Sequence, residues 1–226
     1  MTLALILAGG RGLRLQPLTD YIPKPLIPIN NVPIIEWQIT YLKKFGIDKF
    51  VICCGYKHEQ IETYLKSHNN FDVDVSFSVE STPLGTGGAI KNASSYLSDE
   101  SFYVINGDVI TSVNLKKLSI NSIAAVQLPT GYGVLDIDGD NVLKFKEKGI
   151  IPDMWINAGV YLLSNDLLND LPDNGNIEDT VFPNYAKKNL LKCVKFPDAI
   201  FYSIDSHKDR ENCTKRMDDI VKSWNY

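Results

Sequence analysis

The sequence predicts an α/β fold: a doubly wound, Rossmann-like mixed and mostly parallel sheet with helices on both faces and a small antiparallel extension. Three observations carry this. Short β-branched runs alternate with amphipathic stretches in the first half, those stretches are long enough to serve as crossover helices, and beyond Asp108 strand-like runs follow one another with turns in place of helices. With 226 residues, 44% of them hydrophobic, the chain can bury a full core. It shows no repeat, low-complexity tract or linker, so it reads as one domain, 1–226, with halves 1–110 and 111–226.

The predicted strands of the first half are 3–7, 49–54, 73–79 and 101–106. Within 33–45, Ile34, Ile35, Trp37, Ile39, Leu42 and Phe45 recur at near-helical spacing, and Gly46 is placed to cap the end. Residues 57–67 and 87–97 read as the next two crossover helices. In the second half the expected strands are 123–128, 133–137, 142–147 and 155–163, separated by turn formers such as Asp138, Gly139 and Asp140, with Phe145 pointing into the core. Asn176 opens a predicted helix over 177–188, whose acidic Glu178 and Asp179 suit a helix start. Strands at 191–195 and 200–204 lead to a last helix from Ser206 to about Ser223.

Composition excludes several classes. There are 23 Lys and Arg against 27 Asp and Glu, a net charge of −4, which argues against a nucleic-acid binder. The apolar runs fall far short of the roughly 20 residues that a membrane helix needs, and no secretory leader is visible. Cys53 and Cys54 are adjacent in an apolar run, which suits neither a zinc clip nor a disulfide framework. The four cysteines are therefore expected as reduced, buried thiols of a cytoplasmic protein.

The chemistry concentrates after the first strand, where parallel sheets place their ligand crevice. Leu7 and Ala8 run into Gly9, Gly10, Arg11 and Gly12, followed by Arg14. This is neither a Walker A loop nor the dinucleotide fingerprint. Its glycines still let backbone amides approach an anion, and Arg14 adds a fork of donors for phosphate oxygens. Lys24 stands between Pro23 and Pro25, which restrain its backbone. Each feature alone is a tight turn or a loop lysine; together they make a polyphosphate clamp. Asp108 and Asp205 each follow a predicted strand, and two carboxylates in one crevice suit Mg²⁺, a hard cation completed by waters and phosphates. A turn former at Asp108 and a helix cap at Asp205 are the plain alternatives.

Gly9, Gly10, Gly12, Arg14 and Leu15, followed by Pro23-Lys24-Pro25, form the signature G-G-x-G-x-R-L…P-K-P. Later matches are Leu84-Gly85-Thr86-Gly87-Gly88-Ala89, Asn106-Gly107-Asp108, Phe145-Lys146-Glu147-Lys148, Asn157-Ala158-Gly159 and Ile204-Asp205. In order and spacing, over most of the chain, these resemble the sugar nucleotidyltransferases (NDP-sugar pyrophosphorylases). The short chain and the Leu-Gly-Thr-Gly-Gly-Ala form are most similar to heptose 1-phosphate and mannose 1-phosphate guanylyltransferases.

The resemblance implies transfer of NMP from a nucleoside triphosphate to a sugar 1-phosphate, with release of pyrophosphate. Arg14, Lys24 and Asp108 would be catalytic, and Asp108 with Asp205 would hold Mg²⁺. Leu7, Ala8, Gly9, Gly10, Gly12, Glu80, Gly85 and Thr86 would bind the nucleotide, the amides of the new helix start near Gly85 being expected free to read the base. Tyr132, Gly133, Glu147, Lys148 and Asn157 would bind the sugar and its phosphate. Thus 1–110 is the nucleotide half and 111–226 the sugar-phosphate half. A solvated ion pair at Glu147-Lys148 and a plain turn at Tyr132-Gly133 are the competing accounts, while Asn157, expected buried, needs partners that sugar hydroxyls would supply.

The chain departs from the family pattern at Leu13, Gly149 and Ser206-His207, none of which removes a charge that the chemistry needs. His58, His68 and His207 read as exposed helix residues. Competing classes are a regulatory homologue without chemistry, which would lack these charges, and a glycosyltransferase with a D-x-D motif, which Asp136-Ile137-Asp138 and Asp138-Gly139-Asp140 mimic at a hairpin turn. Uridylyl or thymidylyl transfer is the rival specificity. The expected partners are small molecules only, with no nucleic acid and no membrane, and the expected state is a monomer or small homo-oligomer.

Overall fold

Alternate residues of the first strand belong to different cores. Ala4, Ile6 and Ala8 join one apolar cluster and Leu5 another, so that strand is buried on both faces. The computed structural model describes residues 3–224, Pro152 by its backbone alone. Its elements are β1 (Leu3–Ala8), α1 (Leu18–Tyr21), β2 (Pro28–Ile29), β3 (Val32–Pro33), α2 (Ile34–Lys43), β4 (Lys49–Cys54), α3 (His58–Ser67), β5 (Asp74–Val79), α4 (Gly85–Asn92), β6 (Ser101–Asn106), β7 (Val109–Thr111), β8 (Ser122–Asp138), β9 (Asn141–Ser164), α5 (Val181–Lys187), β10 (Lys192–Phe196), β11 (Phe201–Ser203) and α6 (His207–Ser223).

Seven strands form one sheet in the order β10-β8-β9-β6-β1-β4-β5. β6, β1, β4 and β5 are mutually parallel, whereas β9 is antiparallel to both β6 and β8. From β1 the chain moves outward to β4 and β5, then returns to the other side of β1 as β6. That reversal is the switch point at which such sheets open a crevice. Buried residues of α2, α3 and α6 fill the cluster on one face (Ile35, Ile61, Met217), and those of α4 and α5 fill the other (Ile90, Phe182). A separate antiparallel pair, β7 with β11, aligns Ser203 with Val109. Among the described residues no helix is long and apolar enough to cross a membrane.

The mixed sheet agrees with the sequence reading; several details differ. The four short strands expected after Asp108 are two long ones, and the distal parts of β8 and β9 form a hairpin arm that pairs only with itself. Phe145 sits on this arm, 66% exposed, and not in the core. The helix expected over 177–188 begins only at Val181, because Asn176 organises a turn first: its amide donates to Asp179 and its carbonyl accepts from the Thr180 hydroxyl. The helix expected from 87 starts at Gly85 and ends at Asn92. All four cysteines are free thiols, but Cys193 is exposed. His58 is half-buried against α3's own Glu59 and Glu62, while His68 and His207 are exposed as expected.

Candidate active site

A cleft of about 660 Å³ opens at the carboxyl edge of the parallel strands. β1 delivers Leu7 and Ala8 and then the glycine turn; β5 delivers Glu80; β6 delivers Asn106, Gly107 and Asp108; all line the cleft, as do Arg14, Lys24, Gly85, Thr86 and Asp205. Every catalytic, metal and nucleotide position expected from the sequence therefore meets in one cavity. The glycines permit close approach. A Cβ at Gly107 would stand 2.4 Å from the Leu7 carbonyl oxygen, and only without one can the Gly107 amide donate to that carbonyl at 2.9 Å. The Asp108 turn is thereby pressed against the end of β1.

Lys24 opens a single 3-10 turn after Pro23, and its ammonium donates to Asp108 Oδ2 at 2.6 Å and to Asp205 Oδ1 at 2.8 Å. Arg14 pairs with the same Asp205 oxygen at 2.8 Å. Asp205 reaches Asp108 because β11 pairs with β7 and the Ile204 amide donates to the Asp108 carbonyl. Burial would raise the Asp205 carboxyl, but the hydrogen bond and charge of Lys24, the Ser203 hydroxyl and the Arg14 guanidinium outweigh it and hold Asp205 below the usual carboxylate range. The helix cap is Ser206, whose hydroxyl accepts from the Asp209 amide, so Asp205 is free of that duty.

The donor set fits a divalent cation. Asp108 Oδ2 and Asp205 Oδ1 both meet the Lys24 ammonium, and as two hard carboxylate ligands brought to one edge of the cleft they are of the number Mg²⁺ takes from protein when phosphates complete its shell. The described residues contain no cluster of three or more His, Cys, Asp or Glu side chains that would form a cage for a metal alone.

Glu80 is a further carboxylate lining the cleft. Its Oε2 accepts from the Leu84 amide at 3.1 Å, and a Cβ on Gly9 would collide with its Oε1. Burial raises its carboxyl above the ordinary range, against the lowering effect of the Leu84 bond. The helix start near Gly85 differs from expectation, because its amides are already used. Thr86 N donates to Asn176 Oδ1, and Gly87 N and Gly88 N both donate to the Gly175 carbonyl. Thr86 donates its hydroxyl to Glu178, which also accepts from Tyr161 at 3.2 Å, and Tyr161 in turn accepts from Asn157 at 2.8 Å.

The residues expected to hold the sugar phosphate do not line this cleft. Tyr132, Gly133, Glu147 and Lys148 are exposed on the arm, with Gly133 directly opposite Glu147. Asn157 is exposed and not buried, and its side chain is spent on Tyr161 and the Gly159 amide. Two positioning residues escape a reading of the sequence. Gln38, buried in α2, donates to the carbonyls of Asn106 and Val109 at 2.8 and 2.9 Å and so pins both ends of the Asp108 turn. Glu178 ties the loop before α5 to Thr86. A glutamine on the apolar stripe of a predicted helix was the only signal for the first, and nothing local marks the second.

Comparisons with known proteins bear on the family and the fold. The nucleotidyl transferase family model matches residues 3–199. The chain is 39% identical over 231 residues to the D-glycero-alpha-D-manno-heptose 1-phosphate guanylyltransferase of Aneurinibacillus thermoaerophilus, covering 96% of this chain and 99% of that protein. It is 38% identical over 200 residues to the enzyme of the same name from Campylobacter jejuni, covering 84% and 90%. The crystal structure of HddC from Yersinia pseudotuberculosis complexed with GMP-PN superposes with a TM-score of 0.77 at 33% identity, covering 96% of this chain and all of that one. With the glycine turn, the paired cations and the two aspartates in one cleft, the chain belongs to the nucleotidyl transferase family.

Proposed function

We propose that the protein transfers GMP from GTP to a manno-configured sugar 1-phosphate, a heptose or mannose, giving a GDP-sugar and pyrophosphate in a Mg²⁺-dependent reaction. One observation carries this: Arg14, Lys24, Asp108 and Asp205 converge at the mouth of a cleft floored by a glycine turn. An oxygen of the sugar phosphate attacks the α-phosphorus of GTP, the bond to the bridging oxygen of the β-phosphate breaks, and pyrophosphate leaves. The nucleophile is already an anion, so no general base is required; the protein must align two anions that repel each other. Lys24 is poised for the α-phosphoryl group and the incoming sugar phosphate, and Arg14 for the β- and γ-phosphates. Asp108 and Asp205 would hold the Mg²⁺, which supplies charge neutralisation along the triphosphate.

Glu80 supports guanine. A carboxylate accepts from two adjacent donors, which guanine offers at N1 and N2; uracil and thymine offer one N–H between two carbonyls, and adenine lacks the pair. The names of the relatives support the same base and a manno-configured sugar. We place the reaction in the cytoplasm, where the substrates and four free thiols are at home. The test is a matrix of four nucleoside triphosphates against heptose, mannose, glucose and other sugar 1-phosphates, scored by pyrophosphate release with and without Mg²⁺. GTP with a manno-configured acceptor should dominate. Preference for UTP or dTTP would move the assignment to uridylyl or thymidylyl transfer, and silence across the matrix would favour a regulatory homologue.

A further inference from the structure

The glycine turn carries a second arginine, between Gly10 and Gly12, that no carboxylate holds. Arg11 lines the cleft together with Arg14 and Lys24. Those two are paired with Asp205 and Asp108, whereas Arg11, among the described residues, forms no ion pair and no side-chain hydrogen bond. Its guanidinium carbon lies over the Tyr56 ring, 5.3 Å from the centroid. A ring contact attracts the charge and satisfies none of the guanidinium N–H donors. An exposed arginine with that single contact would elsewhere be a solvated surface group; the way its platform is built argues against that here. The Tyr56 amide donates to the Gly9 carbonyl at 3.4 Å and its hydroxyl to the Thr19 carbonyl at 2.9 Å, while the Thr19 hydroxyl donates to the Gly12 carbonyl at 3.0 Å. The turn on both sides of Arg11 is thus tied to the ring that carries its head. Lys57 brings a second cation to 5.5 Å from the same ring, also without a carboxylate partner among the described residues. Two cations on one ring with no anion between them form a positive spot that a bound anion would relieve.

Strand order decides which part of a ligand Arg11 meets. Along the carboxyl edge the sheet presents Asp108 after β6, the glycine turn after β1, Tyr56 after β4 and Glu80 after β5. The aspartates hold Lys24 and Arg14 on the β6 side, so Arg11, over Tyr56, stands on the opposite flank of the turn. A phosphate chain lying on the turn is therefore flanked by both arginines. Depth divides the phosphates among the cations: the Lys24 side chain is 12% exposed and suits the innermost phosphoryl group, whereas Arg11 and Arg14 are exposed at the rim. Leu13, 63% exposed in the same turn, has no donor to offer. Resting on the reading that the cleft takes a nucleoside triphosphate, we infer that Arg11, presented by Tyr56, binds the two outer phosphates of that substrate and the pyrophosphate they become.

The test is calorimetric titration of the full-length chain with inorganic pyrophosphate and Mg²⁺, a probe that carries the outer phosphates and no base. Arg11→Met should bind it at least about tenfold more weakly than the wild type, the usual worth of a charge-assisted contact to phosphate. Arg11→Lys should fall between the two, since it keeps the charge and loses the fork. Tyr56→Leu should weaken pyrophosphate by about two- to fivefold, and Tyr56→Phe, which keeps the ring, should stay near wild type. With nucleotides as probes, Arg11→Met should weaken GTP by the same factor and leave GMP nearly unchanged; in turnover, KM for GTP should rise and KM for the sugar 1-phosphate should not. An Arg11→Met variant that binds pyrophosphate as the wild type does overturns the inference and leaves nucleotidyl transfer standing. Equal losses for GMP and GTP overturn it too, because they place Arg11 away from the outer phosphates. A wild type that binds neither pyrophosphate nor any nucleoside triphosphate removes both this inference and the reading on which it rests.

Discussion

Replacing Lys24 with methionine removes the ammonium and keeps most of the volume of a side chain that is only 12% exposed. Its two contacts hold the Asp108 and Asp205 oxygens within about 5 Å of each other. Without it, two like charges at that separation repel by about 3 kcal/mol at an effective dielectric of about 20. Both carboxylates are about a quarter exposed and Arg14 still faces one of them, so water and rearrangement should relieve about half of this. Lys24→Met should therefore lose about 1–2 kcal/mol of stability, roughly 3–6 °C in melting temperature for a domain of this size. The catalytic loss should be larger: one charge-stabilising contact is worth about 10²- to 10³-fold in turnover, about 3–4 kcal/mol. Pyrophosphate release measured well below the melting temperature separates the two effects. Because the freed carboxylates now lack their cation, Mg²⁺ without nucleotide should raise the melting temperature of the variant more than that of the wild type. A folded Lys24→Met enzyme with wild-type turnover would falsify the role given to the lysine, and an absent Mg²⁺ response in both proteins would remove the metal from Asp108 and Asp205.

Other residues give separate tests. Glu80 has a raised carboxyl, so its contribution to stability is full below the ordinary carboxylate range and lost as pH rises through its own value; Glu80→Gln should melt higher than wild type at neutral pH, show no such gain in acid, and lose at least tenfold in kcat/KM for GTP. Equal melting curves at both pH values would contradict the burial argument. Gly85 has φ +74° and a Cβ there would stand 2.7 Å from the Gly175 backbone, so Gly85→Ala should cost about 1–3 kcal/mol in urea unfolding; a neutral substitution would show that the two loops do not pack as described. Glu178→Ala releases Thr86 and Tyr161 together, and should raise KM for GTP several-fold with kcat within about twofold. A collapse of kcat with unchanged KM would place Glu178 in the chemistry instead.

What could be read in advance was whatever the chain writes locally. The glycine turn, the proline-flanked Lys24 and the aspartates at strand ends carry their meaning within a few residues, and the parallel half follows from its alternating periods. The arm was misjudged because a period of two looks the same whether the apolar face packs on a core or on nothing; Phe145 alternates correctly and is exposed all the same. The amides of α4 looked free because their acceptors, Gly175 and Asn176, lie some ninety residues further along the chain. Gln38 and Glu178 act in the same way across long separations, and no local pattern announces a partner chosen by the fold.

The unequal exposure of the two cations assigns them different work. Lys24 is held by two carboxylates and largely buried, so its position is set before any ligand arrives, which is what the role proposed for it at the reacting phosphorus requires. Arg14 is 75% exposed and has one ion pair, so little is lost when its guanidinium swings to an incoming triphosphate, and its planar fork suits the outer phosphates. Asp205 is the hinge between them, since one of its oxygens takes both cations. Binding an anion at Arg14 thus leaves Asp205 with Lys24 alone, or open to a divalent cation beside Asp108. Lys24→Arg would keep the charge and lose this fit, because a fork cannot reproduce a point donor bridging two carboxylates, and its turnover should fall toward that of Lys24→Met, not stay near wild type.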